Sequence, residues 1–275
     1  ASRVYNMSDQ NILPRLPLFT PGCNISFLDK AIAKGAESVI VDLEDAVAPE
    51  RKEMARDNLQ KIQHPVFVRI NGENSSEFES DLNAVKDHPL IQGIIFPKSE
   101  SKAQLDKVHE STNKKIIPLI ESAEGLNQVQ QLAKHHATIT LSLGHLDLAM
   151  SLRCQPDFVS LQFARSQIVL ACALAKIPTP IDGITQSFTN VNEVLQDCLR
   201  ARQLGFGGKL LIHPAQIIPA KQGFCPTEEE YEFSKRVIEI SPNGAAAQID
   251  GKMIDAPVVE HARNIIRDFE IMKNS

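Results

Sequence analysis

No apolar run in the 275-residue sequence approaches the ~20 residues that a membrane helix needs. The first fifteen residues, Ala1 to Arg15, are polar and lack the basic-then-apolar layout of a secretory signal. They read as an arm before the first strand, and a cytoplasmic protein is expected. No block of positive charge is present: the net charge of −5 argues against a general nucleic-acid binder, though it leaves room for a local basic pocket. The five cysteines (Cys23, Cys154, Cys172, Cys198, Cys225) are odd in number, and none are spaced as CxxC. Free thiols in a reducing compartment are expected, with Cys172 in the core and Cys23 in a strand-end loop. Phosphate-loop patterns of the GxxxxGK[ST] and GxGxxG kinds are missing, as are HExxH and HxxxH zinc signatures, repeats of solenoid period and low-complexity tracts.

What is present is alternation. Hydrophobic residues make up 43% and charged residues 23%, enough apolar material for a large core. Strand-like runs at Leu16–Thr20, Ser38–Leu43, Pro65–Ile70, Gly93–Lys98, Ile116–Ile120, Thr138–Leu143, Pro180–Ile184 and Lys209–Pro214 alternate with helical patterns. Most of these runs are continuously apolar, as strands covered on both faces should be. Eight βα units with short connections fit an α/β fold, a (β/α)8 TIM barrel of ~250 residues, with a doubly wound open sheet as the rival. Residues 1–219 would form the barrel. Residues 220–275 would add C-terminal helices and a lid, within the same domain or packed on a neighbouring subunit. There, Thr227 and Glu230 have the spacing of a capping box opening a helix to Ile240. The small-residue segment from Ser241 to Ala247 reads as a mobile lid or as an ordinary surface connection.

The most telling stretch is Ile116-Ile117-Pro118-Leu119-Ile120-Glu121-Ser122-Ala123-Glu124-Gly125. An apolar strand stops at a carboxylate and a helix follows. The same design recurs at Leu141-Ser142-Leu143-Gly144-His145-Leu146-Asp147. Such strand ends are where α/β folds place their chemistry. Two carboxylates there could hold Mg2+, which takes oxygen ligands and keeps several waters; alternatively, each acid caps its helix. The other strand ends would present Glu44, Asp45, Arg69, Lys98, Asp182 and His213. Arg69 interrupts a buried strand and must meet an anion, either a ligand carboxylate or enolate or a neighbouring acid. His213 has a claim to the site, His145 could face it or play a structural part, and His135-His136 reads as a solvated helix end.

Seven segments, in order, carry a resemblance: Arg15-Leu16-Pro17-Leu18-Phe19-Thr20-Pro21-Gly22, Asp42-Leu43-Glu44-Asp45-Ala46-Val47, Val68-Arg69-Ile70-Asn71, Glu121-Ser122-Ala123-Glu124-Gly125, Gly144-His145-Leu146-Asp147-Leu148, Lys209-Leu210-Leu211-Ile212-His213-Pro214 and Met253-Ile254-Asp255-Ala256-Pro257. Together they resemble the HpcH/HpaI aldolase/citrate lyase beta-subunit family, especially citrate lyase beta-like proteins and malyl-CoA or citramalyl-CoA lyases. The resemblance implies a Mg2+-dependent TIM barrel that cleaves a carbon–carbon bond beside a thioester. Glu121 and Asp147 would be metal ligands, and Glu121 would also face the substrate. Arg69 would bind substrate and stabilise charge, while Asp255, on the C-terminal segment of the same or a neighbouring subunit, would be the acid/base. Phe19, Lys30, Ile212 and His213 would lie near the CoA part. Glu44 and Asp45 would support the metal's waters. A homo-oligomer, a trimer by resemblance, is implied, and an acyl carrier protein is a possible partner. Leu16-Pro17 and Cys23 depart from the common pattern in segments tied to acyl-carrier recognition. The expected reaction converts citramalyl-CoA or malyl-CoA to acetyl-CoA and pyruvate or glyoxylate. Alternatives are a citrate lyase beta subunit acting on a citryl carrier protein, a malate synthase-like or thioesterase activity, and a non-catalytic CoA-binding subunit.

Overall fold

The computed structural model describes residues 13–188 and 190–273. The expected N-terminal arm lies, up to residue 12, outside the described residues. These residues divide into two compact units, the boundary falling between Ala220 and Lys221.

In the first unit eight parallel strands follow one another in chain order: β1 (Leu18–Pro21), β2 (Val39–Asp42), β3 (Val66–Arg69), β4 (Ile91–Phe96), β5 (Lys115–Ile120), β6 (Ser142–Leu143), β7 (Ile181–Asp182) and β8 (Gly208–Lys209). The helices between them are α1 (Ser26–Ala33), α2 (Lys52–Leu59), α3 (Phe78–Val85), α4 (Lys102–Thr112), α5 (Ala123–Asn127), α6 (Val129–Lys134), α7 (His145–Leu152), α8 (Gln162–Ala175) and α9 (Val191–Leu204). The sheet closes on itself. The Phe19 N–H donates to the Leu211 carbonyl at 2.8 Å, the Leu211 N–H donates to the Pro17 carbonyl at 3.0 Å, and Leu18 bridges Leu211 in parallel. An open doubly wound sheet would leave those two edges apart, so the (β/α)8 barrel is the fold.

The barrel is filled rather than hollow. Ile40, Phe67, Ile95, Ile117, Leu119, Ile181 and Leu210 form one buried cluster contributed by several strands, with Phe19, Ile139 and Ile184 packed against it. All four residues of β2 are buried, as a strand between a filled barrel and a helical shell requires. Helix starts follow local chemistry. Ser101 and Gln104 form a reciprocal capping box at α4, and α4 ends at Asn113 in the left-handed region (φ 54°).

Three expectations change. The sixth strand is short: ahead of it the chain meets β5 only in an isolated parallel bridge, the Ile116 N–H to the Ala137 carbonyl and the Ile139 N–H to the Ile116 carbonyl (both 2.9 Å), and the regular ladder holds only at Ser142–Leu143. The turn carrying Asp147 is the first turn of a helix, α7. His135 is buried, not solvated: its Nε2 lies 3.0 Å from Asp106 Oδ1 and its Nδ1 accepts from the Ala137 N–H, while the adjacent His136 is exposed. Cys172 is in the core, where burial pushes its thiol up to about 12.

Beyond β8 the chain forms α10 (Ile217–Phe224), α11 (Glu228–Ile240), a hairpin of β9 (Ala247–Ile249) and β10 (Lys252–Ile254), and α12 (Ala256–Lys273). Thr227 and Glu230 make the expected capping box at α11. The expected irregular lid is partly this hairpin, whose Asp250-Gly251 turn has φ 50° and 78°. Val237, Ile249, Ile254, Val259 and Ala262 give the second unit its own apolar cluster.

Candidate active site

The carboxyl ends of β1, β2, β3, β5 and β6 and the segments that follow β7 and β8 surround a cavity of about 420 Å³. Its wall is mainly apolar, from Phe19, Leu119, Leu143, Ile184, Leu210 and Ile212, and its polar groups are Asp42, Asp45, Arg69, Glu121, His145 and Asp147. Few, convergent polar groups in an apolar recess are typical of a small-molecule site.

Arg69 ends β3 directly beside Asp42, its register partner at the end of β2. The two form a forked pair, Nε to Oδ1 at 2.7 Å and Nη2 to Oδ2 at 2.6 Å. Asp42 also accepts the Glu44 N–H (2.9 Å) and the Ala46 N–H (3.0 Å), so one buried carboxylate shapes the turn and aims the guanidinium. Arg69 Nη1 lies 3.3 Å from Glu44 and 3.4 Å from Asp45, and its guanidinium sits 4.8 Å over the Phe19 ring. The anion that Arg69 was expected to meet is therefore Asp42 first. Burial opposes its charge, but these carboxylates hold it protonated.

Glu121 follows β5 and is 6% exposed. Its Oε1 accepts the Lys98 N–H at 2.7 Å. Lys98 achieves this from the left-handed region (φ 48°), a conformation a lysine adopts at some cost. Its ammonium reaches Glu44 Oε1 at 3.2 Å. Burial, then the negative charges of Glu44 and Asp147, pushes the Glu121 carboxyl up to about 8, against the pull of Lys98. Glu44 is also raised, by burial first and Asp45 after it, with Arg69 and Lys98 opposing. The helix-cap alternative fails for Glu121: Ser122 caps α5, accepting the Gly125 N–H at 3.0 Å. Asp147 lies within the first turn of α7, whose cap position is Gly144. Gly144 is required by crowding. A Cβ there would come 2.6 Å from both Glu121 Cβ and Oε2.

Phe19, Asp45, Arg69, Glu121, Asp147 and Ile212 thus share one cavity, with Glu44 tied to it through Arg69 and Lys98. Lys30 is exposed on α1 with its ammonium 5.3 Å over Phe27, and it does not line the cavity. His213 is exposed and stacks on Phe188 at 5.0 Å, with Nδ1 accepting the Ala215 N–H; it does not line the cavity either. Asp255 belongs to the second unit, where its Oδ1 accepts the Val258 N–H at 3.3 Å at the start of α12. Sequence reasoning passed over Asp42, whose importance comes from its register with Arg69. It left His145 open, and the structure places that ring in the cavity wall, 8% exposed and held neutral as burial pushes it down to about 4.

Comparison with known proteins identifies the family. The HpcH/HpaI aldolase/citrate lyase profile matches residues 15–214. Citrate lyase subunit beta of Haemophilus influenzae is 32% identical over 92% of this chain and 96% of its own length. A (3S)-malyl-CoA thioesterase of Cereibacter sphaeroides is 31% identical over 93% of this chain and 94% of its own. The structure of CitE from Mycobacterium tuberculosis in complex with magnesium, acetoacetate and coenzyme A aligns with a TM-score of 0.85 at 26% identity, covering 94% of this chain and 99% of that one. A closed barrel whose strand ends gather these carboxylates around one arginine, matched along nearly its whole length, places the chain in the HpcH/HpaI aldolase/citrate lyase family.

Proposed function

We propose that the protein is a Mg2+-dependent carbon–carbon lyase acting on a 3-hydroxyacyl-CoA thioester, citramalyl-CoA or malyl-CoA, to give acetyl-CoA and pyruvate or glyoxylate. The observation that carries this reading is Glu121: a buried carboxyl pushed up to about 8 beside Asp147, in a cavity that also presents Arg69. Such a carboxyl is largely protonated at neutral pH, and a cation that displaces the proton relieves its repulsion with Asp147 and Glu44. The donor set is oxygen only, and two carboxylates leave room for the waters that Mg2+ keeps. Glu121 and Asp147 would hold the ion, and Glu44 and Asp45 would accept from its waters. When bound, Mg2+ polarises the substrate's hydroxyl and adjacent carboxylate. Magnesium in the Mycobacterium tuberculosis CitE complex supports the same choice of ion.

The chain's own groups do the rest. The hydroxyl gives up its proton to solvent, its oxygen electrons form the carbonyl of the 2-oxo acid as the carbon–carbon bond breaks, and the pair from that bond passes to the acetyl thioester as an enolate. Arg69, aimed by Asp42 and half-enclosed by Phe19, binds the developing negative charge where little water competes. Asp255, from the same or a neighbouring subunit of a homo-oligomer, delivers a proton to the methyl carbon. Phe19 and Ile212 line the way to the thioester, and Lys30 and His213 would meet the nucleotide end of CoA. Among the described residues no helix is long and apolar enough to cross a membrane, and we place the reaction in the cytoplasm.

The Haemophilus influenzae relative supports a second reading, a citrate lyase beta subunit working on a citryl acyl carrier protein, and the Cereibacter sphaeroides relative supports thioester hydrolysis. The deciding assay incubates the protein with Mg2+ and malyl-, citramalyl- or citryl-CoA, with EDTA as control. Metal-dependent release of acetyl-CoA and a 2-oxo acid is expected. Free CoA with an intact hydroxy acid would mean a thioesterase, and no turnover without a carrier protein would favour the complex.

A further inference from the structure

Behind the first cavity lies a second, of about 270 Å³, sharing only His145 and Ile184 with it. Its wall is built around three buried charges from three elements. Asp182, at the end of β7, receives Arg165 Nε from α8 at 3.0 Å and Lys209 Nζ from β8 at 3.3 Å, and the same ammonium donates to the Gly183 carbonyl at 2.6 Å. Arg165 is 5% exposed, and Asp182 and Lys209 are 1% exposed. Two cations thus share one buried anion. Arg165 Nη1 is moreover buried without a hydrogen-bond partner among the described residues. A buried guanidinium donor left unmet is costly, and this one belongs to a side chain that lines the cavity.

The other acids of this cavity keep their charges, bonded to neutral donors or standing in solvent. Asp157 accepts from the Ser160 N–H (2.9 Å) and hydroxyl (2.8 Å), and Asp197 accepts the Thr185 hydroxyl (2.7 Å). Glu193 is exposed in the first turn of α9. Phe158 supplies an apolar floor: Arg165 lies 4.8 Å from its ring centroid and Arg200 5.9 Å. We propose that this second cavity binds a small monocarboxylate, which accepts from Arg165, is drawn in by Arg200 and rests its carbon end on Phe158. A singly charged acceptor answers the one unmet guanidinium donor. A phosphate or other dianion would meet Asp157, Asp197 and Glu193 along the same wall, and those charges disfavour it. Water could accept from Nη1, but a carboxylate makes the stronger, charge-assisted bond. The proposal does not depend on the lyase reading, because none of these groups is assigned to it.

The test uses the full-length protein in EDTA, titrated calorimetrically with sodium acetate against sodium chloride at equal ionic strength, and crystallised with acetate. Acetate is expected to bind and to sit on Arg165 Nη1. Arg200→Gln, on the exposed rim, should weaken it at least fivefold, and Arg165→Lys, which keeps the charge beside Asp182 but loses the Nη1 donor, at least tenfold. Glu121→Gln, in the first cavity, should leave it unchanged. Equal responses to acetate and chloride, loss of binding in Glu121→Gln, or a crystal showing only water at Nη1 would each overturn the proposal.

Discussion

Arg69 and Asp42, one residue at the end of each of two adjacent strands, form a forked pair with bonds of 2.7 and 2.6 Å, and the carboxylate in that pair is wholly buried. The guanidinium proposed to face substrate is therefore aimed by a carboxylate of the same cavity wall. Asp42→Asn would keep one acceptor for the turn, set an NH2 against the other N–H and remove the compensating charge. It should destabilise the protein by on the order of 3 kcal/mol in urea unfolding. It should also lower kcat about a hundredfold through misplacement of Arg69. Turnover within twofold of the unmodified enzyme would show that Arg69 holds its pose unaided.

The raised carboxyl of Glu121 gives a pH signature. Mg2+ needs the ionised form, so its affinity should climb about tenfold per pH unit up to about 8 and level off above, with close to one proton released per ion. Calorimetry in two buffers of different ionisation enthalpy counts that proton. The same shift bears on stability. A carboxyl raised in the folded state favours folding fully below its ordinary value, and that contribution fades as pH rises through about 8. Metal-free protein should accordingly melt lower at pH 8 than at pH 5.5 from this group, and Mg2+ should restore it. Glu121→Gln should abolish both effects; unchanged Mg2+ affinity in that variant would refute its role as a ligand.

Gly144 tests the crowding around that carboxylate. In Gly144→Ala the new methyl would fall 2.6 Å from Glu121 Cβ and Oε2. The side chain must swing away, at a cost of roughly 1–3 kcal/mol in stability. Mg2+ affinity should fall roughly tenfold or more. A variant that melts lower yet binds Mg2+ as before would show that Glu121 has room to adjust.

Asp255→Asn keeps an oxygen that can accept the Val258 N–H, so α12 should retain its start. Metal binding should stay intact while turnover falls by roughly two to four orders of magnitude, the range for loss of a general acid. Activity surviving this change would remove Asp255 from the mechanism.

Much of this was legible before any coordinates. Glu121 announces itself because a run of apolar residues stops abruptly at a charge, and Arg69 because a charge inside a strand demands an answer. Asp42 is less visible: it looks like the last residue of its strand, and only parallel register brings it opposite a residue 27 positions on. The group of Arg165, Asp182 and Lys209 is assembled from one helix and two strands, so no local pattern marks it. The short sixth strand was overestimated because the threonine-rich segment before it is extended and bridges Ile116 but does not continue as a regular ladder. The hairpin turn at Asp250-Gly251 carried its usual signal but stood after a run of small residues that reads as loop.

The hydrogen bonds that join Phe19 and Pro17 to Leu211 have a consequence for the newborn chain. Strand β1 leaves the ribosome with one side unpaired, and its partner on that side arrives only after the other strands have been made. Until then the half-built sheet exposes an edge that another chain could occupy. Closure of that seam should be among the last events of folding, and slowing translation near Leu211 should prolong the interval in which this protein needs a chaperone's protection.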